Sequence, residues 1–169
     1  AASGLAFVSS PASVSQEGKG LMFIGQAKDR VENASELKVT VNLDKTKPVV
    51  DAGADITANE GALVSFSGKV TDSLDESPVF SWNFGDGALA DQNLSPSHAY
   101  ADNGAFFAAL AATDHAGHAG SDSLKVTVMN VAPQVEAGAN QAAAEGSFIT
   151  ISSTFTDAGL LDTHTAVID

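Results

Sequence analysis

A stretch of this sequence occurs twice at a constant spacing of 85 positions. PVVDAGADITANEGALVSFSGKVTD (48–72) aligns without gaps with PQVEAGANQAAAEGSFITISSTFTD (133–157). The alignment matches Pro48 with Pro133, Gly53 with Gly138, Glu60 with Glu145, Gly61 with Gly146 and Asp72 with Asp157. A second self-match joins AKDRVENASELKVTVNLDKTKP (27–48) to ATDHAGHAGSDSLKVTVMNVAP (112–133) across a two-residue gap. Both copies contain LKVTV and both run into a proline that opens the next unit. A fixed period of this kind is the signature of a tandem array with one structural unit per repeat. The expected organisation is the back part of one module over 1–46, a complete module over 47–132 and the front part of another over 133–169. A front part that short lies below the roughly 40 residues at which unstapled domains stop folding alone. Either the natural chain is longer, which is the expectation, with any targeting or anchoring segment outside this piece, or a neighbouring chain completes the part modules.

Strand signals fill the repeat unit. LKVTVN (37–42) alternates, with Leu37, Val39 and Val41 on one face. ALVSFSG (62–68) turns Val64 and Phe66 inward, and VFSWNF (79–84) aligns Phe80, Trp82 and Phe84. SLKVTV (123–128) repeats the pattern with Leu124, Val126 and Val128. The Ala-rich GAFFAALAATD (104–114) has helical propensity, since Ala is the best helix former. Its period of two nevertheless predicts a strand with Phe106, Ala108, Leu110 and Ala112 inward. Short strands separated by Gly, Asp and Pro turns predict an all-β, antiparallel sandwich. The chain is 44% apolar but only 7% aromatic, so the core must be light. With no cysteine there is neither a disulfide staple nor a thiolate metal site.

The single tryptophan opens SWNFGDGA (81–88), which reads as a core strand running into a tight turn. Gly85 and Gly87 supply positive φ, and Asp86 between them can accept from nearby amides. WNFGDG, followed by SHAYADNGAFFAALAATD (97–114), resembles the PKD (polycystic kidney disease) domain. That family shows Trp-Asp-Phe-Gly-Asp-Gly, then His-x-Tyr, then a Gly-x-Tyr strand ending in Thr-Asp. Trp82, Phe84, Gly85, Asp86, Gly87, His98, Tyr100, Gly104 and Thr113-Asp114 fill those places. Asn83 stands where Asp is usual and Phe106 where Tyr is common, neither of which should disturb the fold. The resemblance covers 47–132 and, through the repeat, 133–169; residues 1–46 resemble the end of a bacterial Ig-like repeat. It implies tandem immunoglobulin-like β-sandwich modules without catalysis, in secreted or cell-surface prokaryotic proteins. It also implies that Tyr100 acts like the tyrosine corner of sandwich domains, with His98 beside it.

Lys and Arg number 8 against 21 Asp and Glu, a net charge of −13. Nucleic-acid binding needs a basic face, so the charge argues against it. Acid clusters are the leading functional candidates. Asp72, Asp75 and Glu76 crowd the loop TDSLDESP, Asp51 and Asp55 lie at the start of the module, and Asp114 and Asp122 flank another loop. Calcium takes six to eight oxygen ligands, so Ca2+ at Asp72, Asp75 and Glu76 is the metal expectation, set against a solvated acidic surface. His115 and His118 in DHAGHAG lack a third nitrogen ligand and read as turn residues facing water. No Gly-x-Ser-x-Gly elbow is present, and nothing marks a sugar-sized carboxylate cleft. NAS (33–35) and NLS (93–95) are glycosylation sequons that only permit a surface location. The longest apolar run, AFFAALAA (105–112), is far short of the ~20 residues of a membrane helix.

Three functions fit these residues. The first is a semi-rigid stalk or adhesin-type spacer whose partners are neighbouring modules of the same larger chain. The second is a module binding polysaccharide, a protein fibre or another copy, for which outward-facing Phe107 is the one nameable apolar patch. The third is the accessory region of a secreted hydrolase.

Overall fold

The computed structural model describes residues 5–75 and 77–167, and among them there are fourteen strands and no helix. The N-terminal part holds β1 (Leu5–Val8), β2 (Gly18–Asp29) and β3 (Ala34–Leu43) in one antiparallel sheet. The β2–β3 hairpin is turned by Asp29, whose Oδ1 accepts the N–H groups of Val31 and Asn33, both at 2.9 Å. The alternating face of β3 is largely bare. Leu37 is 69% exposed and Val39 47%, because no second sheet lies over them among the described residues.

The central part runs through β4 (Val49–Asp51), β5 (Ile56–Asn59), β6 (Leu63–Ser65), β7 (Lys69–Thr71), β8 (Val79–Asn83), β9 (Leu89–Asp91), β10 (Ser97–Ala99), β11 (Gly104–Thr113) and β12 (Ala119–Met129). Five of them form a sheet in the order β5-β12-β11-β8-β9, with β5 parallel to β12 and the other pairs antiparallel. The second layer is the pairs β4–β7 and β6–β10. ALVSFSG does not run as one regular strand. Past β6 the chain still bonds across, Phe66 N–H to the Pro96 carbonyl and Gly68 N–H to that of Leu94, and then pairs with β4 through β7. The partner changes at Gly68, where an added Cβ would lie 2.5 Å from Leu110 and 2.8 Å from Trp82. The β7 end of the second layer thus rests directly on the first.

The Ala-rich segment is a full strand. β11 pairs with β12 over ten consecutive positions and with β8 on its other side. Sheet pairing on both edges overrides the helical propensity of alanine, and the small side chains leave room for larger ones opposite. Ala108 and Leu110 are fully buried, as are Trp82 and Val126, with Val64, Phe66, Phe84, Leu124 and Val128 around them. This is an all-β, immunoglobulin-like sandwich.

In the C-terminal part, β13 (Gln134–Glu136) pairs with β14 (Thr154–Thr156), joining Gln134 to Thr156 and Glu136 to Thr154. Large apolar side chains stand open here: Val135 on β13, and Phe148, Ile151, Leu161 and Val167 between and after the strands, are all more than half exposed.

Candidate functional site

The turn after β8 is built from its own residues. Gly85 and Gly87 have φ of 85° and 97°, which glycine adopts without strain. Gly85 also lies against β11, where a Cβ would come within 2.7 Å of the Phe107 carbonyl oxygen. Asp86 Oδ1 accepts Ala88 N–H at 3.0 Å, and Oδ2 pairs with His98 Nε2 at 2.6 Å. Burial works against ionisation of Asp86, but the Ala88 amide and the His98 ring outweigh it and hold its pKa below the ordinary value. His98 stacks on Phe84 with ring centroids 4.4 Å apart and meets Tyr100 edge-on at 4.7 Å. Tyr100, 1% exposed, donates its hydroxyl to the Phe84 carbonyl at 3.0 Å. Burial, with the Asp86 charge second, pushes its pKa up to about 12, so it remains a donor. Trp82, Phe66, Phe84, His98, Tyr100 and Phe106 thereby form one chain of ring contacts through the core. The motif is thus buried ring packing at Trp82, Phe84 and Tyr100 joined to an exposed, self-bonded turn at Gly85, Asp86 and Gly87.

The acid loop after β7 is differently used. Asp72 Oδ1 accepts the N–H groups of Leu74 and Asp75 at 2.8 and 2.9 Å, while its Oδ2 is enclosed without a partner. Asp75 accepts Ser77 N–H through Oδ1, and both the backbone N–H and ring Nδ1 of His115 through Oδ2. The Ser77 amide first and the His115 ring next lower the Asp75 pKa to about 2. Glu76 lies outside the described residues. Asp51, Asp55 and Asp122 each bond a backbone amide, of Gly53, Lys125 and Ala52 respectively. Most of the acids singled out in the sequence are therefore engaged in fixing loops.

His115 and His118 do not simply face water. His115 is held by Asp75 and His118 by Asp114, at 2.7 and 3.0 Å. The Asp75 hydrogen bond and charge raise the pKa of His115. Burial opposes ionisation of Asp114, but the backbone and ring bonds from His118 prevail and lower its pKa. Asp44 joins Asp114 and His118, with one potential ligand atom from each lying within 4.8 Å of the others.

A second cluster joins Glu60, Asp157 and Asp162, again within 4.8 Å. Glu60 closes the turn after β5 and is 2% exposed. Its Oε1 accepts Val131 N–H at 2.6 Å, and its Oε2 is enclosed with no hydrogen-bond partner. Asp157 Oδ1 accepts Ala158 N–H and Oδ2 pairs with His164 Nε2. That ring bond is the main reason the Asp157 pKa lies low. Asp162 is pushed the other way, by burial first and then by the charges of Glu60, Asp157 and Asp102. Sequence reasoning missed this cluster although Glu60 and Asp157 are both repeat-matched positions. Nothing local signals that the turn after β14 folds back on the turn after β5.

The sequence profile of the PKD domain matches residues 45–128. Among solved structures, the chain is similar to the PKD1 domain of Vibrio anguillarum Epp, at 24% identity and a TM-score of 0.43, over 50% of this chain and 96% of that one. No curated protein matches the chain. Through residues 45–128, this chain belongs to the PKD domain family.

Proposed function

We propose that the chain is a non-catalytic spacer segment of a larger extracellular or cell-surface protein, in which successive sandwich modules hold other parts away from a surface. PKD domains are in general non-catalytic Ig-like modules, usually of extracellular or cell-surface proteins. The observation that carries the reading is a repeated strand pair with a bare face. β13–β14 joins Gln134 to Thr156 where β4–β7 joins Val49 to Thr71, each partner displaced by 85 positions. Yet Ile149 and Ile151 are 50% and 62% exposed where their counterparts 85 positions earlier, Val64 and Phe66, are buried. Further strands covering that face would make 133–169 the front of another module. By the same reasoning 1–46 is the back of a preceding Ig-like module, its β2–β3 hairpin corresponding to β11–β12.

The junction at 46–48 favours a semi-rigid rod. Thr46 Oγ1 bonds Glu17 on one side and Ser73 on the other, at 2.9 and 3.0 Å. Pro48 is fully buried, and its carbonyl oxygen would lie 2.1 Å from a Cβ on Gly120. Such short, anchored connections leave little room for free swing. Small-angle scattering on the 169-residue chain should report one elongated particle; modules tumbling independently would count against the rod.

A second reading, a binding or self-assembly module, is favoured by one observation. Phe107 projects from the middle of β11 at 65% exposure, with exposed Ala105 and Ala111 along the same face. Phe107→Ser should weaken self-association or fibre binding while the fold persists. An unchanged association would leave the patch without a partner. Calcium at Asp72, Asp75 and Glu76 is the weaker of the metal readings: Asp72 Oδ2 is enclosed without a partner, but among the described residues no three metal-capable side chains converge there.

A further inference from the structure

We infer that Glu60, Asp157 and Asp162 form a binding site for a hard divalent cation, calcium, which fastens the segment after β14 to the complete sandwich. The site is more than a group of acids. Glu60 is 98% buried by its 2% exposure, and its Oε2 has no partner among the described residues. An enclosed carboxylate oxygen without a hydrogen bond is costly unless something positive faces it. What faces it here is two more carboxylates, with one oxygen from each residue inside a 4.8 Å circle. The loop is drawn tightly around this point. A Cβ on Gly159 would lie 2.7 Å from Asp162 Oδ2 and 2.9 Å from Glu60 Oε2, so residue 159 must be small for the oxygens to converge.

The donor set selects the ion. All three side chains offer oxygen, which suits calcium or magnesium rather than a softer metal. They come from two distant stretches of chain, the turn after β5 and the loop after β14, which suits the irregular six- to eight-oxygen shell of calcium. Magnesium demands a near-octahedral arrangement with shorter bonds. Asp157 can serve while keeping His164, because an ionised carboxylate has about four acceptor sites. Leu160 N–H already bonds the Ala101 carbonyl at 3.0 Å, so the loop is docked before a cation arrives. Coordination from both sides would then lock 157–162 onto the sandwich.

The test is calcium titration calorimetry on the whole chain, stripped with chelator, with magnesium in a parallel series. The site predicts one saturable calcium event with Kd of about 0.1–1 mM, the range of extracellular modules. Asp162→Asn and Glu60→Gln should each weaken it at least about tenfold, and Asp75→Asn should leave it unchanged. Glu60→Gln retains an oxygen for Val131 N–H, and buried Trp82 fluorescence checks that both variants remain folded. Hydrogen exchange at 157–164 should slow with calcium in the parent chain and not in Asp162→Asn. No saturable calcium event would overturn the site, as would binding abolished by Asp75→Asn but kept by Asp162→Asn, or magnesium bound more tightly than calcium.

Discussion

Tyr100 shows how one hydroxyl can fix a corner of the sandwich. It is enclosed, and it donates to a carbonyl sixteen positions earlier in the chain. Tyr100→Phe would leave the Phe84 carbonyl unpaired in the core, and denaturant unfolding should show a loss of about 1–3 kcal/mol. The Asp75–His115 pair makes a different prediction. Asp75 has a lowered pKa, so its contribution is present above its unfolded value of 3.8 and fades as pH falls toward about 2. His115 has a raised pKa, so its contribution is complete below 6.5 and fades as pH rises through the higher folded value. A proton NMR titration should place the His115 midpoint above 6.5, and Asp75→Asn should return it to the ordinary range. At this scale the sequence was legible where a residue acts on near neighbours: Gly85, Asp86 and Gly87 make their own turn. It was not legible for Glu60, whose meaning depends on Asp157 and Asp162 about a hundred positions away.

Among the elements, β11 carried the sharpest conflict between propensity and pattern. Its alanines favour a helix, while its period of two favours a strand, and pairing with both β8 and β12 decides for the strand. A different case is β3, whose alternation puts Leu37 and Val39 on one face, and that face stands open. Periodicity identifies which side chains share a face, but not whether another layer covers it. The stretch 62–68 likewise shows an alternating pattern and gives no sign of the change of partner at Gly68. The Gly85 turn offers an element-scale test. Gly85→Ala would add a Cβ to a residue at φ 85° and press it on the Phe107 carbonyl of β11. Thermal unfolding should fall by the equivalent of about 1–3 kcal/mol, as for other overpacked sites. Gly87→Ala has the same φ problem but open space around it, so it should cost less.

For the whole molecule, the offset of 85 joins sequence to structure. It relates two strand pairs of identical register, only one of which lies in a finished sandwich. The net charge of −13 suits the proposed array of modules, and each of the two clusters joins side chains from distant stretches of the chain. The spacer reading therefore depends on further modules completing the open faces. Intact mass measurement of the native protein, with sequencing of its terminal peptides, tests this most directly. The account predicts a chain much heavier than 17.1 kDa that continues past Asp169 with the remaining strands of the module begun at Pro133. A native mass near 17.1 kDa would contradict it, since the bare faces of 1–46 and 133–169 would then have to be closed by neighbouring chains.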